Sequence, residues 1–433
     1  MGTEISLSID KVDVCWSKNH MGIDHGSLFQ SDDRKRLKSD QVNYDYFESE
    51  NDPDLIKMEM GFSKHLKDVV PRLELMGFTL EQIKKEYELV AAESNETRNE
   101  LEESGLDKAI PCMKFSQFLE FAKRIDIGNL DGSYDKDSID KDPSEYGANF
   151  IDADTLKAIP CYEPYDAMVY SEQSLVSHIF DCLSPYSALR LLAENENNLH
   201  QEVKWQYGPL VENGWANVSI FRPCARRKQK FLIVTEGHTD VGIIDLAIKT
   251  LRPEIYDFFS FIDMTEGHPF GGTVNLQKFA KGLAQMDVHN QTLFLYDNDT
   301  EGLSAFRKTQ KLNLPSNMRV AMLPDLDEFS SFQTIGPSGK SKIDINGKAV
   351  AIECYLDLYR PGLPEEPTIR WSGYKGDVKQ YQGALMEKDK YTNDFLSSSP
   401  KQLLDGGYDL SKLQKVVDAI YQECVAIACS EKS

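Results

Sequence analysis

No apolar stretch in these 433 residues approaches the roughly 20 residues needed to span a bilayer, and the N-terminus carries no signal-peptide core. Membrane insertion and export are therefore not expected, and a cytoplasmic location is. The eight cysteines, at 15, 112, 161, 182, 224, 354, 424 and 429, include no Cys-x-x-Cys pair. That argues against a zinc ribbon and a disulfide scaffold and suits a reducing compartment. No internal repeat or coiled-coil heptad is evident. A phosphate loop is missing as well. Gly339-Lys340-Ser341 would need a glycine at 334, where Thr334 stands, so nucleotide hydrolysis is not expected.

Positive charge is in deficit. Lys and Arg number 48 against 70 Asp and Glu, a net of −22. Phosphate binding normally rests on Lys and Arg, so this balance disfavours an extended nucleic-acid surface. The deficit is uneven, however. Residues 1–200 carry 40 acids against 21 basic residues, whereas 201–433 carry 30 against 27. The acidic half either steers nucleic acid away from everything but a site in the second half, or keeps the chain soluble. Arg222, Arg226, Arg227, Lys228 and Lys230 form a basic run. It either contacts phosphates or is a solvated lead-in to the strand that follows.

What the chain does have is two short apolar runs that end abruptly in carboxylates and a glycine. They are Phe231-Leu-Ile-Val-Thr-Glu-Gly-His-Thr-Asp240 and Leu293-Phe-Leu-Tyr-Asp-Asn-Asp-Thr-Glu-Gly302. Apolar runs without alternation suit strands buried on both faces, as in a parallel sheet covered by helices. Ligands of such sheets bind beyond the carboxyl ends of the strands. Glu236, Asp297 and Asp299 are thus expected to face one crevice. Carboxylates gathered there repel one another unless a hard cation such as Mg²⁺ joins them, which predicts a metal site. Between the runs, Thr239 and Asp240 suit the start of a helix over about 241–251, a strand is expected over 258–262, and a helix over 276–286. Thr300 suits the cap of a helix to Lys311, and a fourth strand is expected over 318–323. This alternation predicts an α/β domain with a small Rossmann-like parallel sheet, its two acid-bearing strands adjacent.

At these residues the chain resembles the Toprim domain, shared by bacterial primases, type IA and type II topoisomerases and the overcoming-lysogenization-defect (OLD) nucleases. A strand ending in Glu-Gly is followed by a strand ending in Asp-x-Asp-x-x-Gly, and Glu236, Gly237, Asp297, Asp299 and Gly302 match position for position. Glu236-Gly-His-Thr-Asp240 is most similar to the nuclease branch, where Glu-Gly-x-(Thr/Ser)-Asp is usual. The match covers roughly residues 226–360. Ile5-Ser-Leu-Ser-Ile-Asp to Asp24-His-Gly-Ser-Leu-Phe29 also resembles the N-terminal segment called the HEPN/Toprim-associated domain. The Arg-x(4–6)-His motif of HEPN ribonucleases is absent, so HEPN activity is not implied.

The resemblance implies that Glu236, Asp240, Asp297 and Asp299 hold one or two Mg²⁺ or Mn²⁺ ions, with Glu236 also catalytic. OLD-like nucleases carry a functional lysine beyond the acidic strands; Lys340 is assigned that role, with Lys342 as the alternative and a solvated loop lysine as the plainer account of both. For Asp240 a helix cap alone is the alternative to a metal role; His238 is read as a variable loop position, with substrate contact as the alternative, and Asp325 and Asp327 as surface loop acids, with a second metal site as the alternative. Glu353, on the apolar segment Ala349–Leu356, would be costly to bury without a partner, so a metal or lysine contact is expected.

The expected organisation is an α+β, largely helical N-terminal region over 1–150 with an acidic loop near 126–146, and a helical connecting region over 151–225. The Toprim domain spans 226–360 and a C-terminal helical extension spans 361–433. Within the first half, short strands are expected in 4–16, a helix opening at Thr79 and running to about Asn99, and a helical pair over 171–183 and 186–194. The expected function is metal-dependent cleavage of DNA or RNA, in a bacterial antiviral or other conflict system. A topoisomerase would also need an active tyrosine on a DNA-gripping domain, and a primase a zinc module. The remaining alternative is a regulatory, partner-binding Toprim subunit. No ATPase motif is present, so a separately encoded ATPase or helicase is a candidate partner beside the nucleic acid, and a homo-oligomer is possible. If the acidic half restrains the enzyme, removing residues 1–150 should raise basal cleavage.

Overall fold

The computed structural model describes residues 2–39, 41–105, 110–135, 141–162, 169–262, 271–286 and 288–431. The chain divides into two compact units, Met1–Ala225 and Arg226–Ser433. Among the described residues no helix is long and apolar enough to cross a membrane.

The first unit is built on an antiparallel sheet of β1 (Glu4–Ile9), β2 (Val12–Lys18), β3 (Arg34–Arg36), β4 (Met60–His65) and β5 (Glu202–Gln206), in the order β2-β1-β5-β4-β3. Strict alternation in β1 buries Ile5, Leu7 and Ile9 on one face. β5 follows the same rule with Val203 and Trp205 inward. It inserts between β1 and β4, with Trp205 opposite Leu7 and Phe62. Only five residues long, with Glu, Lys and Gln outward, β5 gives too short a period to stand out in the sequence.

The helices of this unit include α1 (Leu66–Leu75), α2 (Leu80–Glu103), α3 (Glu172–Phe180) and α4 (Pro185–Leu192). Ser171 and Ser184 cap the last two, accepting from the amides of Ser174 and Ser187. The acidic loop expected over 126–146 contains short 3₁₀ turns at Ile127–Asn129 and Pro143–Glu145, and its residues 136–140 lie outside the described residues.

Arg72 anchors the segment Asp24-His-Gly-Ser-Leu-Phe29. It is fully buried, and its guanidinium donates to the carbonyls of Ser27 (2.9 Å) and Phe29 (3.2 Å). His25 is buried against Tyr186 and Trp205, and burial pushes its pKa down to about 4, so it is neutral. This segment is a structural lock.

The second unit contains a parallel sheet of β6 (Phe231–Val234), β7 (Phe259–Phe261), β8 (Gln291–Tyr296) and β10 (Met318–Met322), in the order β10-β8-β6-β7; the short β9 (Asn298–Asp299) follows β8. β8 is buried at every position, as its unbroken apolar run requires. Val234, Phe294 and Tyr296 face α6 (Thr273–Gln285) and α7 (Thr300–Gln310) through Leu276, Ala280, Leu283 and Ala305. α5 (His238–Leu251) packs with α8 (Lys388–Leu396) and α9 (Ser411–Glu431), and α9 also packs on β8 and β10. Each fully buried Leu, Ile or Phe here contributes about 1.5–3 kcal/mol, an upper range for the extended-chain reference.

Two corrections concern the caps. α5 begins at His238 with Gly237 as its N-cap, and Asp240 lies in its first turn. α7 is capped by Asp299 rather than Thr300, because the Asp299 carboxylate reaches the Gly302 amide at 2.7 Å. A third difference lies beyond residue 360. There β14 (Ile369–Lys375) and β15 (Gln380–Leu385) join β11 (Phe332–Gly336) and β12 (Gly339–Ile343) in the order β12-β11-β14-β15, where helix was expected. A register shift between Trp371 and Gly373 breaks the alternation that would have marked β14 as a strand. The apolar segment after 349 is a short strand, β13 (Ala349–Val350), followed by a 3₁₀ turn at Ile352–Tyr355.

Candidate metal centre

β6 and β8 are adjacent and parallel, with Val234 beside Phe294, so both run out at the same edge of the sheet. Glu236 follows β6 and Asp297 follows β8 there. The Asp297 amide donates to Glu236 Oε1 at 3.3 Å, tying the two strand ends together. Asp240 turns back from the first turn of α5, and its Oδ2 accepts from the Gly237 amide at 2.9 Å. Asp299 accepts from the Gly302 amide and from Gln382 Nε2 on β15, at 2.7 and 2.5 Å.

Gly302 is required by packing. A Cβ there would lie 2.1 Å from the Asp297 carbonyl oxygen, a backbone atom that cannot move aside cheaply. Gly302→Ala should therefore cost about 3 kcal/mol of stability and displace Asp297. Denaturant unfolding checks this, and an unchanged midpoint would contradict the packing argument. At Gly237 a Cβ would meet only ordinary contacts, so no such constraint operates there.

Burial raises all four acids, and neighbouring charges add to it. Burial raises the carboxyl of Glu236 to about 8, with the Asp299 and Asp240 charges adding to it. Burial and the charge of Glu353 raise Asp240 to about 6, against the pull of the Gly237 amide and Lys388. Asp297 is raised well above the ordinary range by burial, then by Asp240, Glu236, Asp299 and Glu353. Asp299 is raised by burial, and its two hydrogen bonds oppose the rise.

Glu353 is buried and forms an ion pair with Lys388 Nζ at 3.2 Å. It thus has the lysine partner that burial demands. Its carboxylate raises the pKa of Lys388, and the charges of Asp240 and Asp297 act in the same direction. Lys340, in contrast, is exposed on β12, and its ammonium pairs with Glu366 at 2.8 Å. Lys342 is also exposed on β12. Asp325 accepts from Asn298 Nδ2 at 2.7 Å and so braces the residue between Asp297 and Asp299, while Asp327 opens a 3₁₀ turn. His238 is exposed. The basic run 226–230 lies before β6, at the opposite end of that strand from Glu236, more than about 10 Å away at the usual rise per residue.

Nothing in the sequence marks Lys388 or Gln382. Each sits in a polar segment far along the chain from the acids it meets, and only the docking of α8 and β15 brings it in.

Among the described residues, no three carboxylate, imidazole or thiolate groups are already gathered into a coordination shell. The site instead holds its acids on local amide donors. The donor chemistry still fits a hard divalent cation. The ligating atoms are all carboxylate oxygens, they repel one another, and burial penalises their charge.

The family model of HEPN/Toprim N-terminal domain 1 matches residues 1–229, more than half of the chain. No curated protein and no solved structure matches it. The matched region stops just before β6, so the acids discussed above lie outside it.

Proposed function

The chain belongs to the HEPN/Toprim N-terminal domain 1 family, and from that premise we propose that its second unit is a metal-dependent nuclease of the Toprim type. One observation carries the reading. Glu236 and Asp297 follow two adjacent parallel strands at their carboxyl ends, burial raises both together with Asp240 and Asp299, and the charges of Asp240 and Asp299 add to the rise at Glu236 and Asp297, an arrangement with little structural purpose of its own. These four residues would hold Mg²⁺ or Mn²⁺. When bound, the ion supplies Lewis-acid polarisation of the phosphate and lowers the pKa of an attacking water.

The chain's own groups would do the rest. Glu236 is placed to accept the proton of the attacking water. Lys388, held by Glu353, brings positive charge beside Asp240 and Asp297, where charge develops on the phosphate oxygens. Asp325 and Gln382 are positioning residues, acting through Asn298 and Asp299. Within this reading a bacterial defence role is the natural setting for the family, with DNA or RNA as the target.

The test is incubation with supercoiled plasmid, linear DNA and tRNA under Mg²⁺, Mn²⁺ or EDTA. Cleavage should need the metal and fall on the order of a thousandfold in Glu236→Ala and Asp297→Ala. Activity that survives both substitutions, or survives EDTA, would refute the assignment. The lysines separate in the same assay. Lys388→Ala should lower cleavage at least about tenfold, as loss of a supporting charge behind metal ligands does. Lys340→Ala should leave cleavage within about twofold, as expected of an exposed surface pair. The reverse order would return the catalytic lysine to β12.

The lack of a preformed shell supports a second reading, a regulatory Toprim unit that binds a partner without cutting. Well-folded protein that cleaves none of the substrates and shows no response to metal would favour it.

A further inference from the structure

A cavity of about 660 Å³ opens on the β12-β11-β14-β15 sheet, walled by Trp371, Tyr381, Ile343, Lys348, Lys379 and the Gly336–Gly339 turn. Tyr374 and Tyr381 are cross-strand partners, 57% and 60% exposed, with ring centroids 5.1 Å apart at 67°. Large exposed aromatics side by side on a sheet do not serve the core. Burying them against a ligand would recover the apolar area they leave in water.

The charge of the sheet is equally out of character for this chain. Residues 332–343 and 369–385 carry Lys340, Lys342, Arg370, Lys375 and Lys379 against Asp377 alone, in a protein of net charge −22. Lys340 and Lys375 are paired with Glu366 and Glu301, and Lys348 with Asp344. Asp377 bonds Ser304 and pairs with Lys308. Lys379, on the cavity wall, has no acidic partner within ion-pair distance among the described residues. The groove also borders the acid cluster. The Tyr381 carbonyl accepts from Thr300 Oγ1 at 2.8 Å, and the next residue, Gln382, donates to Asp299.

We propose that this groove binds unpaired nucleotides, with bases against Trp371, Tyr374 and Tyr381 and phosphates toward Lys348 and Lys379. Base–aromatic stacking tolerates any sequence, because every base has a π-face, and cations beside the rings follow the backbone. Duplex DNA offers no free base faces, so the groove discriminates for single-stranded character. The inference rests on the nuclease reading and narrows its substrate to nucleic acid with a single-stranded segment next to the cut.

Binding is measured without cleavage, by fluorescence anisotropy in EDTA. The probes are oligo-dT and oligo-rU of about 15 nucleotides, near the upper site size of such platforms, and a blunt duplex. Wild type should bind at least one single strand more tightly than duplex, and the dT and rU arms show which sugar is preferred. Tyr374→Ala/Tyr381→Ala changes two exposed rings, so folding should be kept, with circular dichroism as the control. It should weaken binding about tenfold or more. Lys379→Glu should flatten the salt dependence. Duplex bound as well as single strands, or full affinity in the double tyrosine variant, overturns the groove. A protein that binds single strands yet cuts nothing refutes the cleavage reading and leaves the groove intact.

Discussion

Glu236→Gln should make the metal-free protein more stable at pH 9, by on the order of 2–3 kcal/mol, while abolishing cleavage. Most substitutions of half-buried groups destabilise, so the sign is diagnostic. The Glu236 carboxyl is raised from the ordinary 4.5 to about 8, first by burial and then by the charges of Asp299 and Asp240. Above pH 8 it is ionised in surroundings that disfavour the charge. Every tenfold loss of acidity corresponds to about 1.4 kcal/mol, a cost that solvent relaxation reduces. Glutamine keeps an oxygen to accept the Asp297 amide and carries no charge. At pH 4 the folded and unfolded carboxyls are both largely protonated, so the two proteins should unfold together. Thermal unfolding across this range checks the sign, and a destabilised variant at pH 9 would show that Glu236 is a structural acid.

Metal should remove the same penalty in the wild type. The sign follows from proton counts. A carboxyl raised in the folded state keeps its proton while the unfolded chain has lost it, so stability falls as pH climbs from about 4.5 to about 8. Asp240, raised to about 6, adds its own loss between about 4 and 6. A divalent ion binds the ionised forms, so Mg²⁺ or Mn²⁺ should raise the melting temperature more at pH 8 than at pH 5. At a hundredfold excess over Kd the gain is about 2.7 kcal/mol. Binding near pH 7 should also release protons, seen by calorimetry as a heat that changes with the ionisation enthalpy of the buffer. A melting temperature blind to metal at both pH values would remove the metal centre from consideration.

These effects depend on residues of unequal visibility in the sequence. The mixed α/β character of the second unit and its parallel sheet were legible, because β6 and β8 are buried on both faces and cannot alternate. Glu236, Asp297 and Asp299 stood out for a related reason, since carboxylates directly after such runs have few structural explanations. The sequence said less wherever contact is made at long range. Lys388 meets Glu353 only because α8 packs beside α5. Gln382 meets Asp299 only because β15 lies along β13 and the start of α7. β14 was hidden by its own irregularity at Trp371–Gly373. The caps of α5 and α7 went to neighbours of the expected residues, because Gly237 and Asp299 take the extended backbone that a cap needs.

The insertion of β5 between β1 and β4 bears on how this protein is made and how it can be cut. Residues 66–201 must leave the ribosome before the central strand of the first sheet exists. Until then β1 and β4 present unpaired edges, open to pairing with other chains. Folding of this unit should lag synthesis, with expression sensitive to temperature and chaperone supply. A truncation after residue 150 would strand β5 without partners on either side and expose Trp205. Its effect on activity would report misfolding rather than relief of restraint. The cut that tests the acidic half as a regulator belongs after Ala225, where the chain itself divides.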